Sequence, residues 1–299
     1  MKIFHCDRFP IPLPEEHRFP LAKYRLIRQR LEAEQLLPAS NLIESSVVND
    51  AQVLRVHSFA YLDRLKSGTL SAAEVREIGF PWSPELLIRS RRSCGGTLGA
   101  AVSALHDGVA MNLAGGTHHA HRDKGAGFCV LNDVAIATRE LQAERLAHKI
   151  LVIDLDVHQG DGTADIFAHD PSVFTFSIHG AKNYPLRKPP SDLDIPLADG
   201  TGDELYLEAV EHGVAEALET SLADFAFYLA GSDPFEGDKL GRLKVTKQGL
   251  LQRDQLVLET CRNAGLPVAI VMAGGYAHQI EDTVDIHLGT ITTALSLFI

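Results

Sequence analysis

Two acids and a histidine in one short string, Asp154-Leu155-Asp156-Val157-His158, have the residue types and spacing to grip a metal ion. In an extended segment residues i and i+2 point the same way, so Asp156 and His158 can reach one ion, and Asp154 shares that side as a further ligand or a hydrogen-bond partner. Alone, the string also suits an aspartate that binds loop amides at a strand end. Asp233, in Ala230-Gly231-Ser232-Asp233 after another apolar run, adds a third ligand and favours the metal. Two carboxylates and one imidazole leave a position open, as a catalytic site needs. The set suits Zn(II), and also Fe(II), Co(II) or Mn(II), because oxygen ligands select weakly. An ion held there would activate a water and polarise a carbonyl.

His118 and His119 follow Gly115-Gly116-Thr117. Glycine there lets the backbone bend sharply or approach a ligand closely. Two imidazoles beside an activated water offer a general base and a proton donor or electrostatic partner. Each needs a carboxylate on its far nitrogen to fix the tautomer, and Asp154 and Asp161 are the obvious partners. Tyr276, after Gly274-Gly275, could stabilise the oxyanion formed when water attacks a carbonyl. Gly127-Phe128 suits a substrate channel, although an aromatic after glycine also suits a core.

These residues depend on the elements that carry them. Short apolar runs at Val109–Leu113, Ile150–Ile153, Val173–Ile178, Phe225–Leu229 and Val268–Met272 read as strands, and Asn132–Ala147, Glu204–Thr220 and Lys247–Ala264 as helices. Apolar strands alternating with helices imply an α/β fold whose parallel sheet is buried on both faces. Ligands bind beyond the carboxyl ends of such strands, where the His pair, the Asp/His string, Asp233 and Tyr276 would converge. Earlier, the Pro-rich Phe9–Pro14 reads as an arm or loop, and Ala22–Leu36 as a helix. Pro84 falls in the first turn of another helix with Ser83 as its cap.

The 299 residues fit one large domain, 1–299, and need no metal or disulfide to fold, so a metal is free for chemistry. Lys and Arg number 28 against 39 Asp and Glu, a net charge of −11, with no basic run, which argues against direct nucleic-acid binding. Cys6, Cys94, Cys129 and Cys261 are scattered and read as reduced thiols. No stretch has the length of a membrane span and no leader is evident, so the expectation is a cytoplasmic protein.

Five strings carry a resemblance: Gly115-Gly116-Thr117-His118-His119-Ala120, Gly127-Phe128-Cys129-Val130-Leu131-Asn132-Asp133, Asp154 through Gly162, Ala230 through Asp233, and Gly274-Gly275-Tyr276. In this order they resemble the zinc-dependent histone deacetylases, which include acetoin-utilisation proteins and acetylpolyamine deacetylases. Glu236 through Gly241, Gln252-Arg253-Asp254, and His17 through Pro20 with Lys23-Tyr24 are most similar to the class IV branch and its bacterial forms. The resemblance implies the single-domain arginase/deacetylase fold, with a mostly parallel sheet of about eight strands flanked by helices. It implies zinc on Asp156, His158 and Asp233, His119 as general base, and His118 in an electrostatic or acid role. Asp154 and Asp161 would orient the pair, and Tyr276 would bind the carbonyl. Gly127, Phe128 and Tyr184 would line an acyl-lysine tunnel. A structural potassium ion is implied on Asp154, Ser177 and backbone oxygens of Asp156, His158 and Ile178.

Three positions depart from the pattern. Ala273 replaces a glycine before the tyrosine, and Thr117 stands where several branches carry an aromatic. Asp161 stands where many class IV members have Asn. None of these removes an expected catalytic residue.

The implied activity is hydrolysis of an N-acyl amine, with acyl-lysine in a peptide or protein as substrate. Acetylpolyamines and small acetylated metabolites fit the same chemistry. A two-manganese ureohydrolase would need an acid where Gly160 stands. A non-catalytic acyl-lysine binder would be expected to have lost a metal or His residue, and none is lost. Oligomeric state is not legible.

Overall fold

In a computed structural model the structure describes residues 1–14 and 16–299. The strands are β1 (Ile3–His5), β2 (Leu42–Glu44), β3 (Val109–Asn112), β4 (Ile150–Asp154), β5 (Val173–Gly180), β6 (Leu193–Leu197), β7 (Phe225–Leu229) and β8 (Val268–Val271). The helices are α1 (Ala22–Ala33), α2 (Asp50–Leu54), α3 (Phe59–Ser67), α4 (Ala72–Ile78), α5 (Pro84–Asp107), α6 (Asp133–Ala143), α7 (Asp161–Phe167), α8 (Asp203–Ser221), α9 (Lys247–Asn263) and α10 (Ile280–Phe298).

All eight strands form one sheet in the order β2-β1-β3-β8-β7-β4-β5-β6, and every pairing is parallel. Successive side chains of a strand point to opposite faces, and in the central strands both faces are apolar. Leu151 and Ile153 pack with Val210, Leu250 and Ile291 of α8, α9 and α10. Ile150 and Val152, one position out of phase, pack with Ala100, Ile136 and Leu141 of α5 and α6. Those apolar strands, read as buried on both faces, are so buried.

Local chemistry fixes the helix starts. Ser83 accepts from Leu86 N–H with Pro84 in the first turn of α5, as expected, and Ser71 and Glu74 form a reciprocal capping box on α4. Asn132 caps α6, accepting from Ala135 N–H, and so stands outside the helix in which the sequence reading put it. That helix stops at Ala143 and not at Ala147, and Arg145 just beyond takes φ 58°. Likewise α1 ends at Ala33, short of Leu36, where Gln35 takes φ 51°. Left-handed backbone cannot continue a right-handed helix.

Because the sheet is wholly parallel, the carboxyl ends of β3, β4, β7 and β8 open on one edge. The site residues lie in the segments leaving them.

Candidate active site

Beyond β4 the chain bends at once. The expected extended segment is therefore absent, and Asp156 and His158 meet by a turn in which Asp156 Oδ1 accepts from His158 N–H at 2.9 Å. Asp233 arrives from the segment after β7. Ligand atoms of Asp156, His158 and Asp233 all lie within 4.8 Å of one another. His158 Nδ1 is 3.0 Å from Asp156 Oδ1 and 3.3 Å from Asp233 Oδ2. Zinc at about 2.0–2.1 Å from each of its tetrahedral ligands would separate them by about 3.3 Å, so the spacing fits one small dication.

The remaining lone pairs are tied down. Asp156 Oδ2 accepts from Gly274 N–H at 2.7 Å, and Asp233 Oδ1 from Val157 N–H at 2.9 Å. Asp233 Oδ2 is buried and has no hydrogen-bond donor in acceptable geometry. With only the His158 ring nearby, at 3.3 Å, this buried carboxylate oxygen lacks a hydrogen bond, a costly state that a bound cation would relieve. Without one, burial and repulsion from Asp156 push Asp233 up to about 7. The donor set therefore fits a divalent ion.

The His pair comes from the segment after β3. Asp133 holds the approach to it, accepting from Gly116 N–H at 3.0 Å and Thr117 N–H at 2.7 Å. Thr117, where an aromatic was the alternative, also donates its hydroxyl to Asp133 at 2.5 Å. His118 Nδ1 donates to Asp154 Oδ2 at 2.7 Å, and His119 Nδ1 to Asp161 Oδ1 at 2.5 Å. Burial lowers both imidazoles. For His118 the Asp154 and Asp156 charges outweigh it and lift the group to about 9. His119 falls to about 4, through burial and then the neighbouring His118 charge.

Glycines allow this crowding. A Cβ on Gly127, at φ 53°, would lie 2.6 Å from His119 Cδ2. One on Gly274 would strike Asp233 Oδ2 and lie 2.6 Å from Asp156 Oδ2. Ala273 takes φ 52°, so the alanine that replaces a glycine adopts a conformation glycine favours.

Asp156, His158, Asp233, His118, His119, Gly127, Phe128, Tyr184 and Tyr276 line one cavity of about 550 Å³. Tyr184 meets the His119 ring edge to face at 4.9 Å, and Phe128 lies 6.0 Å from the Tyr276 ring. The Tyr276 hydroxyl makes no hydrogen bond to protein among the described residues. Asp154 and Ser177 are neighbours across β4 and β5, and the Ser177 hydroxyl is 3.0 Å from His179 Nδ1.

Three supports escaped the sequence reading. Asp238 accepts from Tyr276 N–H at 2.6 Å and also from Leu240 and Gly241 N–H. Lys23, wholly buried, donates to the carbonyls of Ala273 at 3.2 Å and Gly275 at 3.4 Å, behind the turn that carries Tyr276. Arg253, also buried, donates to Gly231 O at 2.6 Å beneath the Asp233 turn. All three fall in strings that carried the resemblance, which was the available signal.

A family model described as a histone deacetylase domain matches residues 17–291. The chain belongs to the histone deacetylase family. An uncharacterised protein of Picosynechococcus sp. is 46% identical over 285 residues, 95% of each chain. Histone deacetylase 2 of Arabidopsis thaliana is 28% identical over 284 residues, 90% of this chain and 73% of that one. The crystal structure of a histone deacetylase homologue from Aquifex aeolicus superposes with a TM-score of 0.84 at 22% identity, over 98% of this chain and 83% of that one. The fold expected from the resemblance is thus the one found. No helix among the described residues is long and apolar enough to cross a membrane.

Proposed function

We propose that this histone deacetylase family member removes an acyl group, acetyl above all, from an N-acyl amine such as acyl-lysine. The observation that carries the reading is the cavity floor, where two imidazoles on separate carboxylates face an Asp-His-Asp cluster. Asp156, His158 and Asp233 would hold a divalent ion, zinc by preference, with Fe(II), Co(II) or Mn(II) able to substitute. When bound, the ion supplies Lewis acidity to the acyl oxygen and to the attacking water.

The chain's own groups supply the rest. His119, neutral because its pKa lies near 4, takes the proton from water. Asp161 fixes its tautomer by holding the proton on Nδ1, which leaves Nε2 free to accept. His118, kept charged by Asp154, stabilises developing negative charge and can protonate the leaving amine. The Tyr276 hydroxyl, unclaimed by protein, donates to the oxyanion. Gly127, Phe128 and Tyr184 form the walls that take the acyl-amine stem, and their apolar faces exclude water from it.

A potassium ion on Asp154, Ser177 and the backbone oxygens of Asp156, His158 and Ile178 belongs to the same proposal, supported by the adjacency of Asp154 and Ser177. So does a cytoplasmic location, supported by four unpaired, buried cysteines. One domain over 1–299 agrees with the single sheet. The test is a hydrolysis screen of metal-loaded protein against acyl-lysine peptides of graded chain length and acetylated polyamines. Turnover of at least one acyl-amide class is expected, and inertness toward all of them would overturn the reading.

A further inference from the structure

The protein carries a net charge of −11, yet its cavity mouth is basic. Arg18, Arg76, Lys182 and Arg242 line it, against a single carboxylate, Glu77, above the metal-ligand level. The four cations come from separate segments: the approach to α1, the last turn of α4, the stretch after β5 and the stretch after β7. Internal neutralisation is incomplete. Glu77 is already taken by Lys124 at 2.5 Å. Asp199 is shared between Arg242 at 3.2 Å and Lys182 at 3.8 Å, and these two side chains are 55% and 75% exposed. Arg76 and Arg18 have no carboxylate partner among the described residues, and the Arg18 guanidinium lies over the Phe128 ring, 5.4 Å from its centroid. At the floor, Asp156 and Asp233 would be offset by a divalent ion when one is bound.

We infer that the mouth selects acyl-lysine peptides whose residues flanking the lysine are acidic. This rests on the deacylase reading above and names its substrate class. A cleft ringed by one sign of charge concentrates ligands of the opposite sign and steers their approach. Four cations on four segments exceed what the single carboxylate of a small N-acyl amino acid would engage, and they match an extended chain with acids on both sides of the lysine. The same field repels an acetylated polyamine, whose remaining amines are positive, and a lysine set among other basic residues.

The test uses metal-loaded protein and three dye-labelled acetyl-lysine peptides, flanked by aspartates, alanines or arginines, with acetylspermidine as a fourth substrate. Binding is read by fluorescence anisotropy for the peptides, and kcat/KM by acetate release for all four. Single exposed pairs contribute little, but several together should favour the acidic peptide over the basic one by roughly tenfold at low salt. The difference should lie in KM, since these contacts form equally in ground and transition states. It should shrink on going from about 50 mM to about 500 mM salt. Replacing both Arg76→Gln and Arg242→Gln, two of the four cations, should cut it to roughly threefold. Hydrolysis with equal or reversed preference, or acetylspermidine as the best substrate, would overturn the inference and leave the deacylase reading standing. Tighter binding of the acidic peptide without any hydrolysis would do the opposite, supporting charge selection at the mouth and sinking the reaction.

Discussion

The rings of His118 and His119 stand 4.1 Å apart, centroid to centroid, yet each donates through Nδ1 to a different carboxylate. One carboxylate ends β4 and the other begins α7. Separate partners let two adjacent imidazoles hold different protonation states, one lifted to about 9 and the other lowered to about 4. The proposed deacylation, which takes a proton from water and gives one to an amine, would use this division.

The first prediction separates chemistry from metal binding. His119→Ala removes the proposed base and should cut acyl-lysine hydrolysis roughly 100- to 10,000-fold. Tyr276→Phe removes the proposed oxyanion donor and should cost roughly 100- to 1,000-fold. Neither residue is in the Asp-His-Asp cluster, so metal content by elemental analysis should match wild type in both. Unchanged rates would contradict the roles given to these two residues.

The second concerns the glycine turn between β8 and Tyr276. Gly274→Ala would drive a methyl into Asp233 Oδ2 and against Asp156 Oδ2, so loss of bound metal and of activity is expected. Ala273→Gly acts in the other direction. It relieves an L-residue at φ 52° and should raise the urea midpoint by an amount equivalent to about 1 kcal/mol. A Gly274→Ala variant with full metal content would show that the turn can widen, contrary to the geometry described.

A third prediction turns on His57, which braces the segment between the His pair and α6. Its Nδ1 donates to His121 O at 2.9 Å and its Nε2 accepts from Asn132 N–H at 3.0 Å, so the ring is neutral. Burial pushes it down to about 4. An unfolded histidine titrates near 6.5, so between about 4 and 6.5 the unfolded chain binds more protons and stability falls as pH falls. The full effect across that window is about 3 kcal/mol. Denaturation midpoints from about pH 7 to about pH 5 should fall more steeply for wild type than for His57→Gln. Equal slopes would rule out His57 as a contributor.

The sequence reading reached the parts of the molecule that have a strong local signature. Five strands were visible because Leu151, Ile153 and their alternates are apolar on both faces, and the candidate residues His118, Asp156, Asp233 and Tyr276 because each follows such a run. Strands β1, β2 and β6 escaped it. Two of them are three residues long, and β6 is an edge strand with Pro196 inside it and no fully buried position. No periodicity can be read from so few residues. The supports contributed by Lys23, Asp238 and Arg253 were hidden for another reason. Each acts on backbone groups far away in sequence, as Lys23 does on Ala273 and Gly275, and residue type alone does not specify such a partner.

The proposed hydrolysis requires one ion on Asp156, His158 and Asp233. The most direct measurement is acyl-lysine hydrolysis by chelator-treated protein titrated with zinc, alongside Asp233→Ala. The rate should vanish on chelation, return in full near one equivalent per chain, and stay absent in the variant, which should hold no metal. Undiminished hydrolysis after chelation, or a variant that binds zinc and turns over like wild type, would contradict the account.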